Sequence, residues 1–296
     1  MPEFRKIVVC GVGLIGGSFA SALRRADAVG QVVGVGRSAA TLEAALEMGV
    51  IDQATTDWAA ALAGADLVLL ATPVGQMESL MGAMLPFLEP HTVITDGGST
   101  KQDVVAAARL ALGERIHQFV PGHPIAGAEK SGVRAADAEL YRGKRVILTP
   151  LPENGPEAVE AVRRAWRACG ALVSDLSPAE HDRIFAAVSH LPHLLAFSLV
   201  HELAQRPNSE LLFGFAGAGF RDFTRIASSH PEMWRDICLA NREALGAELE
   251  AYRAELEVMQ SLLASGDGLA LETIFDQSRR ARNSWLSTAQ FTLNNS

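Results

Sequence analysis

Hydrophobic and polar positions follow two different patterns on either side of about residue 176. From about residue 6 to residue 175, short β-branched runs alternate with alanine-rich segments of helical length, which is typical of repeated βαβ units and a parallel sheet. Near-continuous apolar runs predict strands that are covered on both faces. The predicted strands are residues 7–10, 32–35, 67–70, 93–95 and 146–148.

The pattern after Leu176 is helical. Ser177 followed by Pro178 is typical of a helix N-cap with proline in the first turn, and no strand pattern follows. Segment 234–263 has apolar residues at helical spacing, over a length that favours burial against a second subunit. The sequence therefore predicts an α/β domain over residues 1–176, followed by an all-helical domain over residues 177–296 that forms a homodimer.

Composition narrows the class of protein. The chain has 296 residues, of which 48% are hydrophobic and 20% charged, enough to fill two globular cores. A net charge of -8 argues against nucleic acid as a partner, because nucleic-acid binding depends on clustered lysine and arginine. No apolar stretch approaches the roughly 20 residues of a membrane span and no signal peptide is indicated, so we expect a cytoplasmic protein. Three isolated cysteines indicate free thiols: Cys10, Cys169 and Cys238.

A glycine-rich turn, Gly11-Val12-Gly13-Leu14-Ile15-Gly16, directly follows the first predicted strand and opens a helix. Such a string could be only a tight turn, but its place in a βαβ unit is the context that dinucleotide binding requires. Gly11 permits the turn, Gly13 lets the backbone approach a pyrophosphate, and Gly16 lets the helix pack on the strand. The N–H groups and the positive dipole at the helix N-terminus then face the phosphates.

The residues after the second strand favour NADP. Arg37 and Ser38 stand where NAD enzymes usually place an acidic residue for the ribose hydroxyls, and a guanidinium pairs with a ribose 2′-phosphate. The alternative is a solvated surface arginine, and NAD is the second candidate cofactor. Thr72, Pro73 and Val74 follow a later strand at the carboxyl edge of the sheet, where we expect them to line the nicotinamide side.

Two loops carry candidate catalytic groups. Residues 96–101, DGGSTK, place the hydroxyls of Ser99 and Thr100 beside glycines that allow close approach, although either hydroxyl could instead cap the next helix. His123 stands between a glycine and a proline at the end of an apolar run. Because an unperturbed histidine has a pKa of about 6.5, this histidine at the cofactor edge is a candidate general base.

Two further segments offer substrate ligands. His190 and His193 are one helical turn apart in an apolar run, and without a carboxylate or cysteine at matching spacing they favour polar substrate contacts rather than a metal. Arg221 and Arg225 lie four residues apart, which suits a carboxylate clamp because a guanidinium binds a carboxylate with two hydrogen bonds. The alternative is a salt-bridged helix end with Asp222 as the partner.

Taken in order, these segments resemble the prephenate and arogenate dehydrogenase family of tyrosine biosynthesis. The resemblance covers nearly the whole chain and rests on five strings: GVGLIGGS from Gly11, DGGST from Asp96, GHPIAG from Gly122, SHLPH from Ser189 and GFRDFTR from Gly219. It implies a homodimer with an N-terminal Rossmann-type dinucleotide domain and a C-terminal helical dimerisation domain. This agrees with the architecture that the hydrophobic pattern predicts.

The resemblance also implies an activity, the oxidative decarboxylation of prephenate or arogenate with hydride transfer to NAD(P)⁺. In that reaction His123 would accept or hydrogen-bond the ring hydroxyl proton with the assistance of Ser99, and Arg225 would bind the ring carboxylate. The further substrate contacts that we expect are Thr100, Glu129, His190 and His193.

Two other functions are compatible with a glycine turn. A 2-hydroxy-acid dehydrogenase of similar design usually has a catalytic lysine on the helix that joins its domains, whereas this chain has no lysine after Lys144. A non-catalytic NADP-binding sensor would need neither His123 nor Arg225. Because no regulatory or chorismate mutase segment is indicated, we expect any feedback by tyrosine to act at the active site.

Overall fold

A six-stranded parallel sheet forms the centre of the N-terminal part of the chain. The computed structural model describes residues 2–127 and 130–294, with side chains described as far as residue 287. The strands are β1 (Phe4–Cys10), β2 (Val29–Val35), β3 (Gln53–Thr55), β4 (Leu67–Leu70), β5 (Val93–Asp96) and β6 (Phe119–Val120). Their order, β3-β2-β1-β4-β5-β6, is that of a Rossmann sheet, in which ligands bind at the carboxyl ends where the strand order reverses.

Helices cover both faces of this sheet. They are α1 (Leu14–Arg25), α2 (Ala39–Glu47), α3 (Trp58–Leu62), α4 (Met77–Met84), α5 (Gln102–Leu112) and α6 (Pro156–Ala168). Successive β1 residues alternate between two apolar clusters, with Ile7 and Val9 in one and Val8 and Cys10 in the other. The near-continuous apolar strands are therefore buried on both sides, as predicted.

A separate three-stranded sheet follows the parallel one. β7 (Gly122–Pro124) is antiparallel to β8 (Arg145–Leu148), and β8 is parallel to β9 (Leu172–Asp175). The expectation of one parallel sheet up to residue 175 is wrong in this respect, because the strand expected at residues 146–148 belongs to the second sheet. The strands absent from the prediction are β3, β6, β7 and β9, which have two to four residues each.

Beyond β9 the described residues contain helices and no strand, as predicted. The helices are α7 (Pro178–Phe185), α8 (Leu191–Ala204), α9 (Ser209–Gly214), α10 (Ala218–Thr224), α11 (Pro231–Ala240), α12 (Arg242–Ser265) and α13 (Gly268–Asn294). The helix expected over residues 234–263 is divided at Asn241. Contacts divide the chain into two compact units, residues 1–242 and 243–296. The predicted boundary at residue 176 stays a prediction.

The first of these helices begins and ends with recognisable local signals. At its start, Ser177 and Glu180 form a capping box in which each side chain accepts the other residue's backbone N–H. At its end, a π turn over Ala186–His190 joins α7 to α8 without a break, and the Leu191 N–H donates to Ala186 O, five residues back. Pro192 follows directly after this turn. A proline inside a helix has no backbone N–H to donate, and its ring crowds the preceding turn. The wider π turn accommodates that ring.

Among the described residues, the continuous run Pro178–Ala204 is the one helix long and apolar enough, by length and composition, to cross a membrane. Three of its buried side chains are polar or charged: His181, Asp182 and His190. Asp182 accepts two backbone N–H groups from the loop that leads into α5. These two hydrogen bonds hold the start of the run against the α/β part of the chain.

A buried ion pair fixes the loop after β5 to β7. Asp96 and Lys101 are fully buried, and Lys101 Nζ pairs with Asp96 Oδ2. The same side chains hold both backbone groups of Gly122: its N–H donates to Asp96 Oδ1 at 3.0 Å, and its carbonyl accepts from Lys101 Nζ at 2.8 Å. A Cβ at Gly122 would lie 3.0 Å from Asp96 O, so no larger residue fits without a shift. His123, the next residue, is therefore fixed relative to this loop.

We predict that Lys101→Met lowers the free energy of unfolding by about 3–5 kcal/mol, because the Asp96 charge is left buried and unpaired. Urea denaturation followed by circular dichroism measures the loss. Arg109→Met is the matched control: Arg109 pairs with Glu153 at 3.0 Å, but more than a third of each side chain is exposed, so we expect a loss below about 1 kcal/mol. Equal losses in the two variants would contradict the assigned role of the buried pair.

Candidate active site

The glycine turn at the start of α1 has the space that a dinucleotide needs. Gly11 has a φ of +89°, and a Cβ there would lie 2.6 Å from Ala71 O. A Cβ at Gly16 would overlap Gly11 O, so only glycine lets α1 pack this closely on β1. Around Gly13, in contrast, a Cβ would meet nothing within 4 Å. The open space at Gly13, beside a helix N-terminus, fits a pyrophosphate.

Three loops converge on this turn at the carboxyl edge of the sheet. A Cβ at Gly11 would lie 2.9 Å from Thr72 Cγ2, and one at Gly98 would lie 2.9 Å from Val74 Cγ1. A Cβ at Gly97 would lie 3.1 Å from Ile15 Cγ2 and 3.7 Å from the Pro124 ring. The segments predicted from the sequence, residues 11–16, 72–74, 96–100 and 122–124, are therefore in contact with one another.

The two residues after β2 differ in what they can offer a cofactor. Arg37 is exposed just beyond Val35, the last residue of β2. The hydroxyl of Ser38 caps α2, accepting from Thr41 N at 3.3 Å and from Thr41 Oγ1 at 3.1 Å. Arg37 is thus the cation available at this position, whereas the Ser38 hydroxyl already has a structural partner.

A chain of buried hydrogen bonds runs from His123 to the start of α5. His123 Nδ1 lies 2.8 Å from His181 Nε2, and His181 Nδ1 lies 2.8 Å from Asp182 Oδ1. The two Asp182 oxygens accept the backbone N–H groups of Lys101 and Gln102, each at 2.8 Å. The side chains of His123, His181 and Asp182 are all buried. His123 is therefore held by a partner on α7 as well as by its own strand.

Burial controls the protonation of the three side chains in this hydrogen-bond chain, His123, His181 and Asp182. Desolvation, with smaller contributions from His181, Lys101 and His190, holds the pKa of His123 well below its usual value. Desolvation also lowers the pKa of His181, although its hydrogen bond to Asp182 opposes the shift. Burial raises the pKa of Asp182, but hydrogen bonds from His181 and the two α5 amides outweigh it, so the pKa is lowered overall. At neutral pH the two imidazoles are neutral and the carboxylate is charged.

The two histidines of the SHLPH string have different surroundings. His190 is buried, and its Nδ1 lies 3.1 Å from Asn241 Nδ2, which also donates to Asp182 O at 2.7 Å. Burial lowers the pKa of His190 to about 4. His193 stacks on the Trp234 ring at 3.6 Å between centroids, and its Nδ1 bonds Ser189 O at 2.9 Å. His190 therefore carries no charge at neutral pH, and the ring of His193 is held in place by Trp234.

Arg225 lies near this helical run. The residue is exposed, and its positive charge contributes to the lowered pKa of His193 after the larger effect of burial. It begins the short turn Arg225–Ser228, next to the α10 helix that carries Arg221. The structure thus brings Arg225 towards His193.

The hydroxyls of the DGGST string do not cap the next helix. The cap residue of α5 is Lys101, which makes no capping bond with its side chain, and Asp182 from α7 accepts the first amides instead. The alternative of a cap by Ser99 or Thr100 is therefore wrong. Ser99 is half-buried, whereas Thr100 is fully buried. Burial raises the pKa of the Asp103 carboxyl, and a hydrogen bond with the Thr100 hydroxyl opposes part of this shift.

Several site features lie beyond what the sequence predicts. The buried residues of the site that the sequence analysis does not identify are His181, Asp182, Lys101 and Asn241. The one local signal for the first two is a histidine-aspartate pair in the first turns of α7. Glu129 lies outside the described residues. Among the described residues no cluster of histidine, cysteine and carboxylate groups could hold a metal ion.

The sheet order, the glycine turn with open space at Gly13, and the buried imidazole at the carboxyl edge define a dinucleotide-binding α/β protein. The family model of the prephenate dehydrogenase nucleotide-binding domain matches residues 19–175, and that of the dimerization domain matches residues 177–277. The chain therefore belongs to the prephenate dehydrogenase family. The fold class and the family expected from the sequence are confirmed.

Individual relatives cover most of the chain. Prephenate dehydrogenase of Bacillus subtilis is 37% identical over 279 residues, 94% of this chain and 75% of the relative. Cyclohexadienyl dehydrogenase of Zymomonas mobilis is 34% identical over 284 residues, 95% of this chain and 96% of the relative. Among solved structures, prephenate dehydrogenase from A. aeolicus, in complex with hydroxyphenyl propionate and NAD⁺, has a TM-score of 0.89 at 37% identity and covers 95% of this chain and 98% of its own. Synechocystis arogenate dehydrogenase has a TM-score of 0.80 at 29% identity, covering 95% and 99%.

We predict that Gly16→Ala and Gly13→Ala separate folding from dinucleotide binding. Gly16→Ala drives a methyl into Gly11 O, so we expect a loss of about 1–3 kcal/mol in the free energy of unfolding. At Gly13 the methyl enters open space, so stability should change by less than about 1 kcal/mol while dinucleotide affinity falls. Thermal unfolding and a fluorescence titration with NADPH measure the two effects. Unchanged affinity in Gly13→Ala would place the pyrophosphate elsewhere.

Proposed function

We propose that this protein is an NAD(P)-dependent dehydrogenase that oxidatively decarboxylates prephenate or arogenate. The observation that carries the proposal is the buried imidazole of His123 on β7, beside the loops that converge on the glycine turn. Relatives named prephenate, cyclohexadienyl and arogenate dehydrogenase support the substrate class. They do not favour a hydroxy-acid dehydrogenase or a non-catalytic sensor.

His123 takes the proton of the ring hydroxyl in this mechanism. Burial, with a smaller contribution from the Lys101 charge, keeps the pKa of His123 low, so the imidazole has a free lone pair at neutral pH. As the proton leaves, negative charge builds on the oxygen and weakens the C–H bond of the same carbon. The bound dinucleotide supplies the hydride acceptor, and loss of carbon dioxide makes the ring aromatic. Ser99, on the adjoining loop, assists by hydrogen-bonding the same oxygen.

Arg225 binds the ring carboxylate, and the neighbouring residues orient the substrate. Its proximity to His193 supports this role, because a guanidinium near the expected substrate contacts can bind a carboxylate with two hydrogen bonds. The remaining expected contacts are His190, His193, Thr100 and Glu129. Holding the carboxylate at a fixed angle to the ring hydroxyl places the reacting carbon against the cofactor.

NADP is the cofactor that the residues of this chain favour. Arg37 is exposed directly after β2, and no acidic residue stands at positions 36–38 to repel a 2′-phosphate. Leu14 and Ile15 in the first turn of α1, with Thr72, Pro73 and Val74 at the end of β4, complete the expected cofactor contacts. NAD is the alternative, since the A. aeolicus relative is described in complex with NAD⁺.

The protein acts as a cytoplasmic homodimer, with a dinucleotide domain over residues 1–176 and a helical domain over residues 177–296. The run Pro178–Ala204 supports the dimer, because its most apolar 18-residue segment is only 28% buried within one chain. The dimerization-domain match over residues 177–277 supports it further. A second subunit would cover the apolar surface that one chain leaves exposed.

The test is to measure reduction of NAD and NADP with prephenate and with arogenate, in the wild type and two variants. We expect turnover with at least one pair. His123→Asn should lower kcat by about 10²–10⁴-fold, because the base is lost. Arg225→Gln should mainly raise KM, because the carboxylate loses its cation. Absence of turnover in all four wild-type assays would refute the proposal, and a reversed kcat and KM pattern would exchange the two roles.

Arg37→Asp tests the cofactor preference. The carboxylate would repel a 2′-phosphate and accept the ribose hydroxyls, so we expect kcat/KM for NADP to fall about 10–100-fold while that for NAD stays level or rises. The NAD assay is the internal control for folding. Equal losses with the two cofactors would show that Arg37 does not contact the phosphate.

A further inference from the structure

We propose that His181 and Asp182 are positioning residues that hold His123 in one tautomer, with the proton on Nδ1 and the lone pair on Nε2. This inference rests on the proposed function of His123 as the base. It assigns a role to two buried residues that the sequence motifs do not include. The juxtaposition that carries it is the hydrogen-bond chain His123–His181–Asp182 between β7 and α7.

The order of donors and acceptors follows from one fixed end. Asp182 is a charged carboxylate that accepts both the Lys101 and Gln102 amides, so it cannot act as a donor to His181. His181 Nδ1 must therefore carry the proton of the 2.8 Å bond to Asp182 Oδ1. Because a neutral imidazole has a single N–H, His181 Nε2 is an acceptor. His123 Nδ1 then donates to it, and His123 Nε2 is left as an acceptor.

The hydrogen-bond chain also fixes the position of the His123 ring. Asp182 is bound at its side chain to the start of α5 and at its carbonyl to Asn241 Nδ2, at 2.7 Å. The Phe185 ring packs against His123 at 5.0 Å and against His181 at 4.5 Å between centroids. Free rotation of the His123 ring would break the bond to His181. The lone pair of His123 Nε2 therefore keeps one direction before substrate arrives.

Proton transfer to His123 is balanced within this arrangement. The O–H bond of the ring hydroxyl breaks, and the proton forms an N–H bond at His123 Nε2, which makes His123 an imidazolium. Its Nδ1–H strengthens the hydrogen bond to neutral His181, whose own Nδ1–H faces the negative Asp182. The carboxylate thus stabilises the new positive charge through one intervening ring. Besides His181 and Asp182, the charged or titratable groups around His123 are Lys101, its partner Asp96, and His190.

Nitrogen NMR of uniformly ¹⁵N-labelled wild-type protein tests the tautomer directly. Protonated and bare imidazole nitrogens have well-separated ¹⁵N shifts, and His123→Gln identifies the signals of His123 by their loss. We expect His123 to carry its proton on Nδ1 at neutral pH, with and without bound dinucleotide. A proton on Nε2, or a mixture of tautomers, would overturn the proposal. This measurement needs no turnover, so its result is independent of whether the proposed activity is found.

Two substitutions of His181 test the consequence for turnover. His181→Leu removes the acceptor, so we expect His123 to populate both tautomers and kcat to fall about 100-fold with KM changed less than about threefold. His181→Gln offers an amide oxygen to His123 and an N–H to Asp182, so we expect the Nδ1–H tautomer to persist and kcat to recover to within about tenfold of wild type. The recovery distinguishes positioning from a loss of stability.

His117→Leu is the matched control, since His117 is an exposed histidine of the same domain that lies outside the site. We expect wild-type kcat and tautomer signals from it. A kcat of His181→Leu within twofold of wild type would overturn the inference while leaving the proposed function intact. If His181→Leu fails to fold, the tautomer of the wild type and the turnover of His181→Gln still decide the result.

Discussion

The buried ion pair between Asp96 and Lys101 is the contact on which the geometry of the site depends. It closes the loop between β5 and α5 and, through both backbone groups of Gly122, fixes the start of β7. Charges buried this completely are tolerated only with partners in good geometry, so the pair leaves the loop little freedom. Ser99 lies on the loop that the pair closes, and His123 follows the glycine that the pair holds. One electrostatic connection therefore ties together the two segments that carry them.

Asp182 extends this arrangement to the helical part of the site. Helix α5 has no side-chain cap of its own, and the Asp182 carboxylate supplies one from α7. The same residue receives a hydrogen bond from Asn241 at its carbonyl, and Asn241 also contacts His190. The loop that leads into α5 and His190, which is expected to meet the substrate, thus belong to one hydrogen-bonded unit.

Sequence reasoning identifies the loops that meet because parallel strands bring their carboxyl ends to one edge. Once the strands are assigned, residues 11–16, 72–74 and 96–100 must lie close together. His123 is found by its rigid surroundings, but the partners that orient it are not. His181 is 58 residues away from it, and Asp182 is 81 residues away from Lys101. No periodicity marks such pairs, since they depend on how α7 packs against the sheet. Strands such as β3 and β7 escape prediction because they contain polar residues, glycine or proline instead of the apolar run that marks β4.

The π turn between α7 and α8 changes the direction in which the later side chains of the run face around the helix axis. In an uninterrupted α-helix, side chains nine positions apart, as His181 and His190 are, would differ by about 180° and face opposite sides. A turn with one extra residue absorbs about 100° of that rotation, which brings the two histidines towards the same half of the helix surface. Asn241 can then reach both Asp182 O and His190 Nδ1. The added residue works as a phase shift, by which one continuous helical run presents both histidines on the same half of its surface.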